Sequence, residues 1–158
     1  AATVLGVSGA WFDNQKHRPA EIKAPSRGAA SGAAMGHIDK LLAWFEAYWQ
    51  EGQSDIVVAM DPQGTTFQRQ VWQALMRIAP GTTTTYGNIA RAVGTPNGSR
   101  AVGAAVGRNP LGVLVPCHRV VGQDGSLTGY AGGLPRKQFL LALEAKTHPL
   151  NVQHQGLF

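Results

Sequence analysis

The residues best suited to covalent chemistry are Cys117 and His118, which are adjacent in a chain of 158 residues with no other cysteine. A single cysteine is most often a small buried apolar residue, but a thiol helped by a base can also act as a nucleophile. Adjacent side chains in an extended segment point to opposite sides, so direct contact between these two is not favoured. We therefore expect one water molecule to connect the imidazole with the thiol.

A base of this kind needs an orienting group, and a carboxylate commonly supplies it. Residues 63–148 contain two acidic residues, Asp124 and Glu144. Asp124 lies in a glycine-rich turn, whereas Glu144 lies late in a helical segment among apolar neighbours. Two alternatives remain for Glu144, exposure at the helix end or contact with a buried partner. The second would complete a relay of glutamate, histidine, water and cysteine that generates thiolate at neutral pH.

The residues around the thiol predict how it is held. The apolar run Val113–Val115, followed by Pro116, indicates a strand that ends in a turn, because proline rarely lies inside a strand. Further along, Gly122–Gly125 predicts a hairpin turn and Thr128–Gly133 a glycine-rich loop. A helix is expected over Pro135–Ala145, since proline is favoured in the first turn of a helix.

Three predicted helices precede the thiol, and each begins at a residue whose side chain can cap it. They cover residues 65–78 (capped by Thr65), 86–93 (capped by Thr85) and 100–106 (capped by Ser99). The last two are short and joined by a tight turn with glycine, the pattern of a helix-turn-helix. In the helix over residues 100–106, small residues such as Gly103 and Ala104 leave almost no side-chain bulk on the surface. This suits either close approach of a phosphate backbone or close packing between helices.

The N-terminal part predicts a small α+β scaffold in which we find no chemical constellation. Its expected elements are two short strands around Gly6, a loop over residues 14–31, an amphipathic helix over 31–51 and a strand over 56–60. The balance of charged residues and the pattern of predicted elements both change at Gly64. The expected organisation is a scaffold domain over residues 1–62, a domain over 63–148 that holds the helix-turn-helix and the candidate active site, and a tail over 149–158.

Charge differs sharply between these two predicted domains. Residues 1–62 carry five lysines and arginines against seven aspartates and glutamates, whereas residues 63–148 carry nine against two. A domain with a balance of +7 favours a polyanionic partner, nucleic acid first. The alternative is a soluble protein that merely has one basic face.

Composition excludes several classes of protein. A hydrophobic content of 44% and a charged content of 15% are typical of globular domains. One cysteine excludes an intrachain disulfide framework and a cysteine-rich zinc site. The sequence has neither a long apolar run nor a recognisable leader, so we expect a cytoplasmic protein with no membrane partner.

The motif Pro116–Val120, Pro-Cys-His-Arg-Val, closely resembles the O6-alkylguanine-DNA alkyltransferases. Further matches follow the family's order, namely Phe67–Trp72, Thr85–Gly87, Arg100–Gly103, Asn109-Pro110 and Tyr130–Leu134. The likeness is dense from Gly64 to Ala145 and weaker in residues 1–62. It implies an α+β fold in which a small ribonuclease H-like domain precedes an α-rich catalytic domain of helix-turn-helix, winged-helix-like type.

The resemblance implies a DNA repair enzyme, a methylated-DNA–protein-cysteine S-methyltransferase that uses no cofactor. It would transfer the alkyl group of O6-alkylguanine in double-stranded DNA irreversibly to Cys117, with O4-alkylthymine as a further candidate substrate. Each molecule would act once, after binding in the minor groove and flipping the target nucleotide out of the duplex. A bacterial-type, cytoplasmic and monomeric protein is expected.

The same resemblance assigns roles to individual residues of the active site. Cys117 would accept the alkyl group, His118 would be its water-linked base, and Glu144 would orient His118. Asn109 would brace the active-site turn through hydrogen bonds. Tyr86 would help to rotate the target phosphate and would lend its hydroxyl to the guanine.

Contacts with DNA and with the flipped base are implied as well. Arg100 would enter the duplex and fill the gap left by the extruded nucleotide. The other residues expected at the DNA are Tyr86, Ser99, Ala101 and Gly103. Those expected to form the base pocket and its lid are Val120, Tyr130, Ala131 and Gly132.

The chain also departs from the family in places. Human-type members bind a structural zinc through cysteines and histidines of the first domain, which this chain cannot repeat, so no metal is expected. Ala131 stands where some members have serine and Gly112 where others have proline, and both changes bear on which alkyl groups fit. The alternative function is a non-enzymatic sensor of alkyl lesions, although sensors of that kind lack the acceptor cysteine. A helix-turn-helix regulator would need a ligand domain or dimer surface that we cannot identify.

Overall fold

The computed structural model describes residues 2–3, 5–19 and 32–148. Its elements are helices α1 (Gly32–Glu51), α2 (Thr66–Leu75), α3 (Tyr86–Ala92), α4 (Ser99–Gly107) and α5 (Leu134–Thr147), strands β1 (Thr84–Thr85) and β2 (Val120–Val121), and a 3₁₀ turn at Cys117–Arg119. The two strands pair in parallel, Thr84 with Val120 and Thr85 with Val121. The predicted α+β class is confirmed. No helix in the described part of the chain is both long and apolar enough to cross a membrane.

The core joins both halves of the chain. Val7 and Val58 lie in the same buried cluster as Val71 of α2 and Val102 of α4. Helix α4 packs against both α2 and α3, which is the helix-turn-helix arrangement that the sequence predicted. Residues 20–31 of the loop expected over 14–31, and the tail expected over 149–158, lie outside the described residues.

Two of the three predicted caps are present, Thr65 on α2 and Thr85 on α3. Thr65 and Gln68 form the capping box, with Gln68 N donating to Thr65 Oγ1 at 3.2 Å and Thr65 N to Gln68 Oε1 at 2.9 Å. Helix α2 ends at Leu75 rather than Ile78, because Ile78 N bonds back only three residues, to Leu75 O. Ser99 does not cap α4 but is its first residue, and Gly98 occupies the cap position.

The strands predicted in the N-terminal part were wrong. Residues 56–60 make a single bridge, Met60 with Val7, and the side chain of Val57 is 83% exposed, so this segment has no continuous strand partner. The segment around Gly6 likewise forms isolated bridges, Ala2 with Val7 and Ala10 with Leu111. Helix α1 agrees with the prediction, and Gly52 with φ 68° ends it.

The strand expected before the thiol was also wrong. Gly112 bridges to Val115, and Val113 between them has φ 70°, a left-handed conformation that is unusual for a β-branched residue. This compact turn leads to Cys117, which begins the 3₁₀ turn rather than ending a strand. The predicted turn at Gly122–Gly125 is present, with Gly122 N donating to Ser126 O at 2.9 Å, but no second strand follows it before α5.

Candidate functional site

The side chain of Asn109 organises the turn that carries the thiol. Its Nδ2 group donates to Val115 O at 2.8 Å and to Cys117 Sγ at 3.1 Å, and lies 3.3 Å from Leu111 O. Its Oδ1 atom accepts from Leu111 N at 2.9 Å. One buried amide thus ties both ends of the turn together and supplies a hydrogen bond to the sulfur.

Cys117 is buried, with 5% of its side chain exposed. Burial raises the pKa of its thiol, and the hydrogen bond from Asn109 offsets only part of that effect. Burial therefore favours the protonated thiol in the free protein, and the generation of thiolate by the relay stays a prediction. The proton must leave during the reaction, which makes a base at the site necessary.

His118 has the geometry of a neutral base. Its ring is fully buried, and its Nε2 atom lies 2.8 Å from Glu144 Oε1. Burial lowers the pKa of His118 in spite of the neighbouring carboxylate, so the neutral ring donates its Nε2 proton to Glu144. Within residues 2–3, 5–19 and 32–148, Nδ1 of His118 is the one buried side-chain nitrogen or oxygen without a hydrogen-bond partner. That nitrogen carries the free lone pair.

Glu144 is the centre of a buried polar network. Its carboxylate accepts from Arg119 Nη2 at 2.8 Å and Nε at 2.9 Å, from Tyr48 Oη at 2.7 Å, and from Gly81 N at 3.1 Å, besides His118. Burial raises the pKa of Glu144, but these hydrogen bonds and the Arg119 charge outweigh it and hold the pKa at about 2. Of the two alternatives for Glu144, the structure shows the buried one.

The sequence reasoning missed three buried polar residues, two that bond to Glu144 and one, Lys137, elsewhere in the site. Tyr48 reaches Glu144 from α1, 96 positions away, in a part of the chain whose sequence showed no chemical constellation of its own. Arg119 lies inside the Pro-Cys-His-Arg-Val motif and could have been assigned as the counter-ion of a buried glutamate. Lys137 gave no signal, because a lysine near a helix start is ordinarily exposed.

Lys137 is fully buried and joins two segments of the site. Its Nζ atom donates to Val120 O at 2.6 Å and to Thr128 O at 2.7 Å. Burial lowers the pKa of Lys137 to about 8, and the neighbouring Cys117 opposes that shift. The ammonium group therefore connects β2, just after the thiol, with the start of the glycine-rich loop.

A cleft of about 600 Å³ lies beside the thiol. Residues of α4 (Ser99, Arg100 and Gly103), Tyr86 of α3, and the loop residues Tyr130 and Ala131 contribute to its wall. Cys117 does not itself line the cleft, but Tyr86 and Tyr130, which do, pack against the buried cluster that contains it. The Tyr86 hydroxyl donates to Gly129 O at 3.2 Å and to Thr128 O at 3.3 Å, which ties α3 to the loop.

Of the residues predicted to contact DNA or to form the base pocket, three do not line the cleft. Val120 is a fully buried core residue, and Ala101 is on an exposed face of α4. Gly132 packs between two rings, where an added Cβ would lie 2.7 Å from Tyr130 and 3.0 Å from Phe12. Close packing therefore favours glycine at this position, and its role in the lid stays a prediction.

The small residues of α4 lie on two different faces, one packed inward and one along the cleft, and approach of a phosphate backbone to the second stays a prediction. Ala105 packs inward, and its carbonyl accepts from the Trp72 indole at 3.0 Å. Gly103, Ala104 and Gly107 line the cleft. An added Cβ on Gly103 would come within 3.9 Å of the Tyr86 ring, an ordinary contact, so the small surface there leaves the cleft open.

Comparisons with known proteins agree with this geometry. The family model described as "6-O-methylguanine DNA methyltransferase, DNA binding domain" matches residues 66–146. A methylated-DNA–protein-cysteine methyltransferase of Mycolicibacterium paratuberculosis is 49% identical over 120 residues, which are 76% of this chain and 70% of that protein. Its counterpart from Methanosarcina acetivorans is 54% identical over 99 residues, 63% of this chain and 64% of its own.

Solved structures give the same result. The crystal structure of Mycobacterium tuberculosis OGT in complex with DNA matches with a TM-score of 0.75 and 40% sequence identity, over 89% of this chain and 81% of that one. The family model spans about half of this chain and includes the whole cysteine motif. On these grounds the chain belongs to the family of methylated-DNA–protein-cysteine methyltransferases.

Proposed function

We propose that the protein repairs DNA by moving the alkyl group of O6-alkylguanine in a duplex onto Cys117. The observation that carries this proposal is the buried Cys117–His118–Glu144 arrangement behind a cleft edged by Arg100. The relatives share the activity by name, and the M. tuberculosis structure contains DNA. Like its relatives, this protein is a transferase that acts on DNA.

The chemistry is a displacement at the alkyl carbon. The bond from that carbon to guanine O6 breaks as its bond to Cys117 Sγ forms. The thiol proton moves through a water molecule to His118 Nδ1, and Glu144 stabilises the imidazolium that results. Tyr86 donates its proton to the guanine as the bond to O6 breaks, which makes guanine a better leaving group. The proton that His118 took up then returns through water to the Tyr86 oxygen, so both side chains end neutral. Because burial raises the pKa of Tyr86, its hydroxyl is protonated and able to donate at neutral pH.

Access to the thiol requires that the base leave the duplex. Extruding a nucleotide costs a few kcal/mol, and less where pairing is already damaged. Arg100 fills the gap in the stack, while the small surface of α4 fits a minor groove, where little sequence is read. Tyr86 must exchange its contacts with Thr128 and Gly129 for contacts with the incoming nucleotide. Tyr130 and Ala131 then close on the base.

The reaction ends in a thioether. Unlike a disulfide, a thioether has no route back through thiol exchange, and the chain has no second cysteine. Each molecule therefore acts once and needs no cofactor. The lesion-sensor alternative is weaker, because it leaves the buried thiol and its base without a purpose.

Several finer expectations belong to the same proposal. We take the N-terminal part to be ribonuclease H-like and the remainder winged-helix-like, with the domain division near residue 62. The protein is proposed to act as a cytoplasmic monomer, and O4-alkylthymine is retained as a second substrate.

Intact-mass measurement tests the proposal. After incubation with a duplex that contains O6-methylguanine, we expect the protein to gain the mass of one methyl group, located on Cys117 by peptide mapping. Cys117→Ser should bind the duplex without gaining mass. Binding by the unaltered protein with no mass gain would favour the lesion sensor instead.

A further inference from the structure

The cleft has a second basic edge, supplied by the N-terminal segment. Lys16 and His17 line it together with Arg100 and Arg108 of α4. Lys16 N donates to Ala131 O at 2.9 Å, which fixes this edge on the loop side of the cleft. The N-terminal segment therefore takes part in the cleft as well as in the scaffold.

The turn that presents Lys16 and His17 is firmly held. Gln15 closes the turn over residues 12–15, because its Oε1 atom accepts from Phe12 N at 3.1 Å and its side chain is nearly buried. Further back, Ala10 bonds on both sides to the active-site turn, to Pro110 O at 2.8 Å and from Gly112 N at 2.9 Å. His17 has φ 64°, a conformation that histidine tolerates better than most residues. The two exposed side chains thus project from a fixed base.

The charges at the cleft favour an anionic partner. Lys16, Arg100 and Arg108 are cationic, and the described residues that line the cleft include no carboxylate. The nearby Arg18 is already paired with Asp13 at 3.0 Å, so it is Lys16 that remains available on this side. Arginine and lysine on two edges of a narrow cleft match the phosphodiester groups of a strand that passes between them.

We propose that Lys16 and His17 form a second DNA-contacting element that binds phosphates beside the extruded nucleotide. This inference rests on the proposed function, because only the strand that carries the flipped base enters the cleft. Arg100 acts within the stack from one edge, and Lys16 holds the backbone from the other. Through the bond from Lys16 N to Ala131 O, the same contact positions the loop that covers the base.

The test compares Lys16→Ala with Lys40→Ala. Lys40 is an exposed lysine on α1 that does not line the cleft, so both variants lose one surface charge. For Lys16→Ala we expect about three- to ten-fold weaker binding to an O6-methylguanine duplex, and a salt dependence (log Kd against log salt) that is shallower by about 1. Lys40→Ala should match the unaltered protein, and Lys16→Arg should restore most of the binding.

Reaction with free O6-benzylguanine shows whether Lys16→Ala weakens a contact with DNA or disturbs the active site itself. The loss of rate in Lys16→Ala should be at least about three-fold greater on the duplex than on the free base, since only the duplex carries the phosphates. Equal losses on both substrates, or a salt dependence like that of Lys40→Ala, would overturn the inference. If the unaltered protein took up no alkyl group from either substrate, the proposed function itself would fail.

Discussion

Glu144 receives hydrogen bonds from residues that arrive from three different parts of the chain. Donors from α1, from the turn after α2, and from the cysteine motif converge on one carboxylate at the end of α5. Removing one donor from such a network leaves a buried charge incompletely satisfied, which costs more than the net worth of the bond. The carboxylate that positions the base therefore also holds the site together.

The pH dependence of stability follows from this residue. The pKa of Glu144 is about 2 in the folded protein and ordinarily 4.5, so its contribution is complete above pH 4.5 and is lost as the pH falls towards 2. That contribution is about 3 kcal/mol. His118 acts in the same direction, because burial lowers its pKa, and the unfolded chain takes up that proton below about pH 6.5. We expect urea unfolding to show falling stability from pH 7 to pH 3.5.

The matched variant for this measurement is Glu144→Gln, which cannot titrate at that position. It should be less stable than the unaltered protein at pH 7, and its stability should change less between pH 5 and pH 3.5. Parallel pH profiles for the two proteins would contradict the assignment of the acid-sensitive step to Glu144.

At the scale of elements, features that depend on neighbouring residues were more often predicted correctly than features that depend on distant contacts. Thr65, Gln68 and Thr85 predicted helix starts because a cap depends on residues within one turn. The strands failed because pairing depends on distant partners, and the 56–60 segment finds only Val7. Tyr48 was missed for the same reason, since nothing in α1 alone shows that its hydroxyl meets Glu144.

Tyr48→Phe tests whether α1 supports the active site. The change removes only the hydroxyl that donates to Glu144 Oε1 at 2.7 Å and keeps the stacked ring beside Trp44. We expect a loss of about 1–3 kcal/mol in the free energy of unfolding, as is usual for one bond to a buried charge, together with slower alkyl transfer. Denaturant unfolding and single-turnover rates measure the two effects.

The control on the same helix is Trp49→Phe, which alters a neighbouring, partly exposed aromatic residue that makes no bond to Glu144. It should change the transfer rate little. Equal slowing by both substitutions would mean that α1 acts through general packing and not through the Tyr48 hydroxyl.

At the scale of the whole molecule, the charge pattern and the motif together predicted a basic face beside a nucleophile. The cleft lies at that face, with Arg100 and Arg108 on α4. The sequence divided the chain near Gly64, yet the core cluster and the Ala10–Gly112 bond join the N-terminal segment to the active-site turn. These contacts could not be predicted from the sequence, because they depend on how elements that are distant in the chain pack together.

Arg100→Ala tests the use of this face on duplex DNA. Loss of the side chain that fills the stack should slow the reaction with an O6-methylguanine duplex by at least about ten-fold more than the reaction with free O6-benzylguanine. Arg69→Ala, on an exposed part of α2 outside the cleft, is the matched control and should have a small effect on either substrate. Equal losses on both substrates for Arg100→Ala would contradict this role, because they would mean that the arginine affects the reactivity of the thiol and not the entry of the duplex.

The stoichiometry of transfer is the most direct test of the central claim, that Cys117 is consumed by the reaction. A small, known amount of protein is given a large excess of duplex containing radiolabelled O6-methylguanine, and the label bound to protein is counted over several hours. We predict a plateau at one methyl group per molecule, with no further repair of the remaining substrate. Continued repair beyond one equivalent, or a plateau that persists in Cys117→Ser, would contradict the account.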